Sequence, residues 1–162
     1  MTHVTLAVTG SISAYKAADI TSQLGKLGYG VSVLMTEAAS HFITPLTLQI
    51  LSKNPVSLDL MDEPRPDKVN HIEIGKETNL FLVAPATANT IAKLANGLAD
   101  NMVTATALAL PSHVKKAIAP AMNTKMYENP LTQHNLERLK KSIEQLENKG
   151  GTVHEITEVL DD

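Results

Sequence analysis

Apolar positions along this chain come in two patterns: short continuous runs, and longer stretches with a three- to four-residue period. Residues 4–8, 31–35, 80–84 and 114–119 are short runs rich in Val, Leu, Ile, Ala, Phe and Met, as expected of strands buried on both faces. A weaker run at 55–60 predicts the third strand in chain order, and 152–156 predicts a short sixth. Residues 13–27 place Ala14, Ala17, Ala18, Ile20, Leu24 and Leu27 at helical spacing, and Gly28 and Gly30 stand where a helix end and a tight return are wanted. Helices are also predicted over 37–51, with a break before Pro45, and over 87–98, 101–110 and 130–149. In the last of these, Leu136, Leu139, Ile143 and Leu146 recur at three and four residues before Gly150-Gly151 stops the pattern. Residues 62–67 read as a solvated loop. Strands alternating with helices build parallel βαβ units, so the predicted fold is a three-layer, doubly wound α/β domain, with 1–162 as one unit.

Composition narrows the function. A chain of 162 residues with 43% hydrophobic and 19% charged residues suits one globular domain. The net charge of -3, without a basic stripe, argues against a nucleic-acid partner. No run of 18 apolar residues and no leader pattern is present, so no membrane partner and a cytoplasmic location are expected. The absence of cysteine removes disulfides, thiolate metal sites and thiol nucleophiles, and six dispersed histidines suggest no metal site.

In a doubly wound sheet, ligands bind beyond the carboxyl ends of the strands. The segments expected there are Gly10-Ser11-Ile12-Ser13, Thr36-Glu37, Pro85-Ala86-Thr87-Ala88-Asn89-Thr90 and Pro120-Ala121-Met122-Asn123. They are small, hydroxylated or amide-bearing, and hold no cluster of acids and bases. That is the chemistry of a cofactor cradle, in which backbone amides and helix N-termini grip an anion. The first turn matches the dinucleotide fingerprint only loosely, with Ile12 and Tyr15 where glycines are wanted, and Glu37 is a weak match for a ribose-binding acid. Each residue also has a plain reading: Gly10 as a tight turn, Asn89 as a helix-start residue, Asn123 as a cap. His71 is predicted in a polar stretch just before the strand at 80–84, on the far side from the strand ends. It would then join the others only if a neighbouring subunit supplied it, and a surface histidine is the alternative.

Taken together, these segments resemble the flavin-dependent cysteine decarboxylases, the HFCD flavoproteins, whose members act on phosphopantothenoylcysteine or on peptidyl-cysteine. The resemblance covers roughly residues 3–140. It is carried by Thr9-Gly10-Ser11-Ile12-Ser13-Ala14-Tyr15-Lys16, Val69-Asn70-His71-Ile72-Glu73, Pro85-Ala86-Thr87-Ala88-Asn89-Thr90, Gly97-Leu98-Ala99-Asp100-Asn101 and Pro120-Ala121-Met122-Asn123-Thr124-Lys125-Met126-Tyr127. It implies a Rossmann-like flavoprotein holding FMN with Gly10, Ser11, Ile12, Thr36, Thr87, Ala88, Asn89, Thr90 and Ala121. It further implies His71 as the catalytic histidine, Asn123 as a catalytic residue binding the substrate carboxylate, and Met126 lining the substrate pocket.

The implied assembly is a homotrimer or a dodecamer built from trimers, and the implied substrate is a small molecule containing cysteine. The implied reaction is FMN-dependent decarboxylation of the cysteine moiety of phosphopantothenoylcysteine to phosphopantetheine in coenzyme A biosynthesis. In it, oxidation of the cysteine to a thioaldehyde lets carbon dioxide leave as an enethiolate forms. An imidazole, with an ordinary pKa of about 6.5, suits the proton transfer. Two departures stand out. The cysteine-bearing clamp of the phosphopantothenoylcysteine enzymes is expected to be missing or shortened after about residue 130, and Tyr127 stands where many relatives carry Trp. The rival expectations are a peptidyl-cysteine decarboxylase, a non-catalytic FMN-binding or regulatory homologue and, on weaker grounds, a flavin prenyltransferase.

Overall fold

The computed structural model describes residues 1–61 and 69–147. Five parallel strands form one sheet: β1 (His3–Val8), β2 (Gly30–Met35), β3 (Val56–Ser57), β4 (Leu80–Ala86) and β5 (Lys115–Pro120), in the spatial order β3-β2-β1-β4-β5. The connecting helices are α1 (Lys16–Lys26), α2 (Pro45–Ser52), α3 (Asn70–Glu77), α4 (Ala88–Asn96), α5 (Met102–Ala109), α6 (Thr124–Glu128) and α7 (Pro130–Glu147). The predicted three-layer, doubly wound α/β class is the observed one. The loop at 62–67 and the predicted sixth strand at 152–156 lie outside the described residues.

Period-two alternation sends successive strand residues to opposite faces. Leu6, Val8, Val33 and Met35 join Ala14, Ala17 and Leu48 in one core, while Ala7, Leu34, Phe81 and Val83 join Ile91, Met102 and Val103 in the other. Strands buried on both sides therefore read as predominantly apolar runs.

Several boundaries move for local reasons. The helix predicted from residue 13 opens as a 3-10 turn, Ile12–Tyr15, before α1. The predicted helix over 37–51 divides into a 3-10 turn, Glu37–His41, and α2. Thr44 caps α2 by accepting the Thr47 amide at 3.2 Å, with Pro45 opening the helix. The weak run at 55–60 supplies only the short edge strand β3. β4 continues through Pro85 to Ala86, with its register against β5 shifting between Val83 and Ala86. The polar stretch before β4, to which the sequence pattern assigns no element, is α3.

Gly25 lies exposed in α1, where an added Cβ meets nothing within 4 Å. Gly25→Ala is expected to stabilise the fold by about 0.5–1 kcal/mol, because glycine surrenders the most backbone entropy in a helix. Thermal unfolding checks this as a rise of a few degrees in Tm, and an unchanged or lower Tm contradicts it.

Candidate active site

At the carboxyl ends of the strands, one buried side chain joins two of the predicted segments. Thr9, directly after β1, donates its hydroxyl to the Pro85 carbonyl at 2.6 Å and accepts the Thr87 amide at 3.0 Å. The turn after β1 and the turn after β4 are thereby locked together. Sequence reading placed Thr9 in a matching segment without a role. The signal was a fully buried hydroxyl at a strand end, and burial is not visible in a sequence.

The turn after β1 carries Gly10, Ser11 and Ile12. Gly10 has a specific cause: a Cβ there would stand 2.5 Å from the Ala38 Cβ and 3.1 Å from the Ala38 carbonyl carbon. Only glycine lets the 3-10 turn after β2 approach this closely. Ser11 and Ser13 share a hydroxyl–hydroxyl hydrogen bond of 3.1 Å, and Ile12 is 68% exposed. The neighbouring turn is anchored by Thr36, whose amide donates to the Val8 carbonyl at 3.0 Å and whose hydroxyl accepts the Ala39 amide at 3.3 Å.

Beyond β4, Thr87 caps α4 by accepting the Thr90 amide at 3.2 Å. Asn89 is a helix-start residue, exposed in the first turn beside Ala88, with Thr90 buried behind it and Thr87 supplying the cap. The amides of Ala88 and Asn89 have no acceptor within the helix, by the geometry of a helix start, and they carry its positive dipole end. After β5, Ala121 is buried and donates its amide to the Ala86 carbonyl at 3.0 Å. Asn123 does cap: its side-chain oxygen accepts the Lys125 amide at 2.9 Å at the start of α6. Met126 follows on α6, 51% exposed.

A cavity of about 50 Å³, lined by Ser13, Lys16, Ala84, Pro85, Pro120 and Ala121 among others, opens among these turns. Larger cavities of about 190 and 170 Å³ lie between β5 and α7, around Lys116 and Leu139, away from the turns. Burial there pushes the Lys116 ammonium below its usual pKa. The loop between α4 and α5 is held by Lys93, which donates to Asp100 at 2.7 Å and keeps that carboxyl below the ordinary range. Among the described residues, no three His, Cys, Asp or Glu side chains cluster in a way that could hold a metal ion.

His71 requires a correction. It does not sit on the far side from the strand ends. It is the second residue of α3, an eight-residue helix of about 12 Å that descends towards the start of β4, so its first turn stands at the carboxyl-end side. The neighbouring Asn70 side chain donates from Nδ2 to the Ser57 hydroxyl of β3 at 3.4 Å. His71 falls on the stripe with Ile74, Gly75 and Thr78 that faces the body of the protein, and its Nδ1 is buried. That placement does not fit a solvent-facing surface histidine. Within one chain, however, the helix carrying His71 is anchored at β3 and Asn123 follows β5. These are the two edges of the sheet, four strand spacings or roughly 19 Å apart.

The donor set fits a flavin mononucleotide. First-turn amides of α4 and the hydroxyls of Ser11 and Ser13 suit a phosphate, and the small side chains of Ala86, Ala88 and Ala121 stand at the same strand ends. The chain belongs to the Flavoprotein family, whose model matches residues 1–161.

Its relatives agree with that family. The chain is 64% identical over 138 residues to the "Probable phosphopantothenoylcysteine decarboxylase" of Streptococcus mutans serotype c, covering 85% of this chain and 77% of that protein. It is 47% identical over 137 residues to the coenzyme A biosynthesis bifunctional protein CoaBC of Bacillus subtilis, covering 85% of this chain and only 33% of that one. Among solved structures, the FMN-dependent cysteine decarboxylase SpaF superposes with a TM-score of 0.82 at 28% identity, covering 96% of this chain and 84% of that one. A cysteine-to-serine mutant of PPC decarboxylase, complexed with pantothenoylaminoethenethiol, superposes at 0.76 with 31% identity, covering 94% and 81%.

Proposed function

We propose that this chain is an FMN-dependent carboxy-lyase that decarboxylates the cysteine moiety of phosphopantothenoylcysteine, yielding phosphopantetheine for coenzyme A synthesis. The observation that carries this reading is the cradle of small and hydroxylated residues at the strand ends, in a chain 64% identical to a protein named for that reaction. When bound, FMN supplies a reversible two-electron oxidation of the substrate's cysteine moiety, which makes loss of carbon dioxide possible.

The chain's own residues do the rest. The amides of Ala88 and Asn89 and the hydroxyl of Ser11 hold the phosphate. Gly10, Ile12, Thr36, Thr87, Thr90 and Ala121 shape the walls around the cofactor. Asn123 binds the departing carboxylate, with Met126 lining the substrate side. His71 moves the proton that the product needs. The placement of β3 and β5 at opposite edges of the sheet supports His71 and Asn123 coming from different copies, and the family resemblance implies a homotrimer or a dodecamer of trimers as the working form. The enzyme works in the cytoplasm on a small molecule, and no helix among the described residues is long and apolar enough to cross a membrane.

The test is an absorbance spectrum of the purified protein, followed by anaerobic addition of phosphopantothenoylcysteine. Flavin bands that respond to this substrate, with release of carbon dioxide, are expected. A colourless protein that takes up no added FMN overturns the cofactor and the reaction together. Flavin that responds only to a peptide ending in cysteine assigns the peptidyl substrate instead, and bound flavin that responds to neither leaves a binding protein.

A further inference from the structure

Two buried side-chain polar atoms lack a hydrogen-bond partner among the described residues: His71 Nδ1 and Thr106 Oγ1. Two other buried helix-associated threonines satisfy their hydroxyls on the carbonyl one turn back. Thr21 donates to Ala17 at 2.7 Å and Thr78 to Ile74 at 2.6 Å. Thr106 on α5 is fully buried and makes no such bond.

The fold brings the two unpaired atoms to the same level. α3 leads into the start of β4 and α5 into the start of β5, and these strands are parallel neighbours. The two helices therefore run in the same direction, and they are in contact. Gly75 marks the register, since a Cβ on it would stand 3.7 Å from the Ala109 carbonyl oxygen and 3.7 Å from the Leu110 side chain. His71 lies four residues before Gly75, about 6 Å up the α3 axis, and Thr106 three residues before Ala109, about 4.5 Å up α5. His71 is on the inward stripe of α3, and Thr106 lies inward on α5.

We propose that Thr106 is a positioning residue for His71: its hydroxyl donates to Nδ1 and so keeps the proton of the neutral imidazole on Nε2, the nitrogen presented to substrate. Rotation of the two side chains pairs both atoms at once. When the ring is protonated, Nδ1–H donates to the same oxygen, and the Thr106 hydroxyl turns to the carbonyl one turn back as Thr21 and Thr78 do. The inference rests on the reading of His71 as the proton-transfer group.

The test reads the imidazole itself, by NMR of the histidine ring nitrogens in FMN-loaded protein at a pH where the ring is neutral. His71→Asn identifies the signal. The wild type is expected to show the Nε2-protonated form alone, Thr106→Val a mixture of both tautomers, and Thr106→Ser the single form again. Thr106→Ala replaces the valine variant should that one not fold. A wild-type ring protonated on Nδ1, or a tautomer indifferent to loss of the hydroxyl, overturns the proposal. In turnover, Thr106→Val should lower kcat at least about ten-fold, with KM held, and serine should rescue it. A tautomer that follows Thr106 while His71→Asn leaves decarboxylation intact keeps the pairing and refutes the catalytic reading.

Discussion

Replacing His71 by Asn is expected to lower kcat for phosphopantothenoylcysteine decarboxylation by about 100- to 10,000-fold, the usual worth of a positioned general acid or base. The protein should stay yellow. His71 stands in the first turn of α3, outside the turns after β1, β2, β4 and β5 that carry the proposed FMN contacts. Asn is tolerated at the start of a helix, and the change removes a buried ring nitrogen that has no partner, so α3 should survive. Flavin content and absorbance, with turnover measured on the same preparation, separate loss of chemistry from loss of cofactor. A variant that keeps nearly full kcat rules His71 out.

Subunit mixing adds a second readout. An inactive His71→Asn protein and an inactive Asn123→Ala protein, unfolded and reassembled together in equal amounts, should recover up to about a quarter of the intact sites if each site draws on two copies. No recovery points to a site within one chain.

Much of this arrangement was legible in the sequence. Buried parallel strands announce themselves as predominantly apolar runs, and the small-residue turns that follow them mark the ends where a doubly wound sheet binds ligands. What stayed hidden depends on contacts between distant segments. α3 is short, and Gly75 interrupts it where local pattern asks for a better helix former. α5 packs against that position, where an added Cβ would stand 3.7 Å from the Ala109 carbonyl oxygen, a contact between segments that a sequence does not show. Missing the helix put His71 at the wrong end of the sheet. Thr9 likewise looks like any strand-end threonine until its bonds to Pro85 and Thr87 are seen. β4 outran its prediction because a proline ordinarily reads as a strand's end, and the register shift between Val83 and Ala86 accommodates it here.

Gly10→Ala should damage stability and cofactor binding together, because one close contact serves both. The new Cβ would stand 2.5 Å from the Ala38 Cβ and 3.1 Å from the Ala38 backbone carbon, so no side-chain rotation relieves it. Either the turn carrying Ser11 and Ile12 or the 3-10 turn after Thr36 must move. Overpacking of this kind costs about 1–3 kcal/mol, which thermal unfolding reads as a fall of several degrees in Tm. The same displacement separates the hydroxyls and amides proposed to hold the FMN phosphate, and a shift of a few tenths of an ångström spoils hydrogen bonds that need close alignment. FMN affinity, measured by flavin fluorescence on dilution, is therefore expected to fall at least about ten-fold, equivalent to about 1.4 kcal/mol. The partner substitution tests the cause. Gly10→Ala combined with Ala38→Gly removes the 2.5 Å clash but keeps the contacts to the Ala38 backbone, so it should recover part of the stability and part of the affinity. Wild-type Tm and affinity in Gly10→Ala alone would mean that the two turns are free to separate, and that the close approach at Gly10 does not set the cradle's geometry.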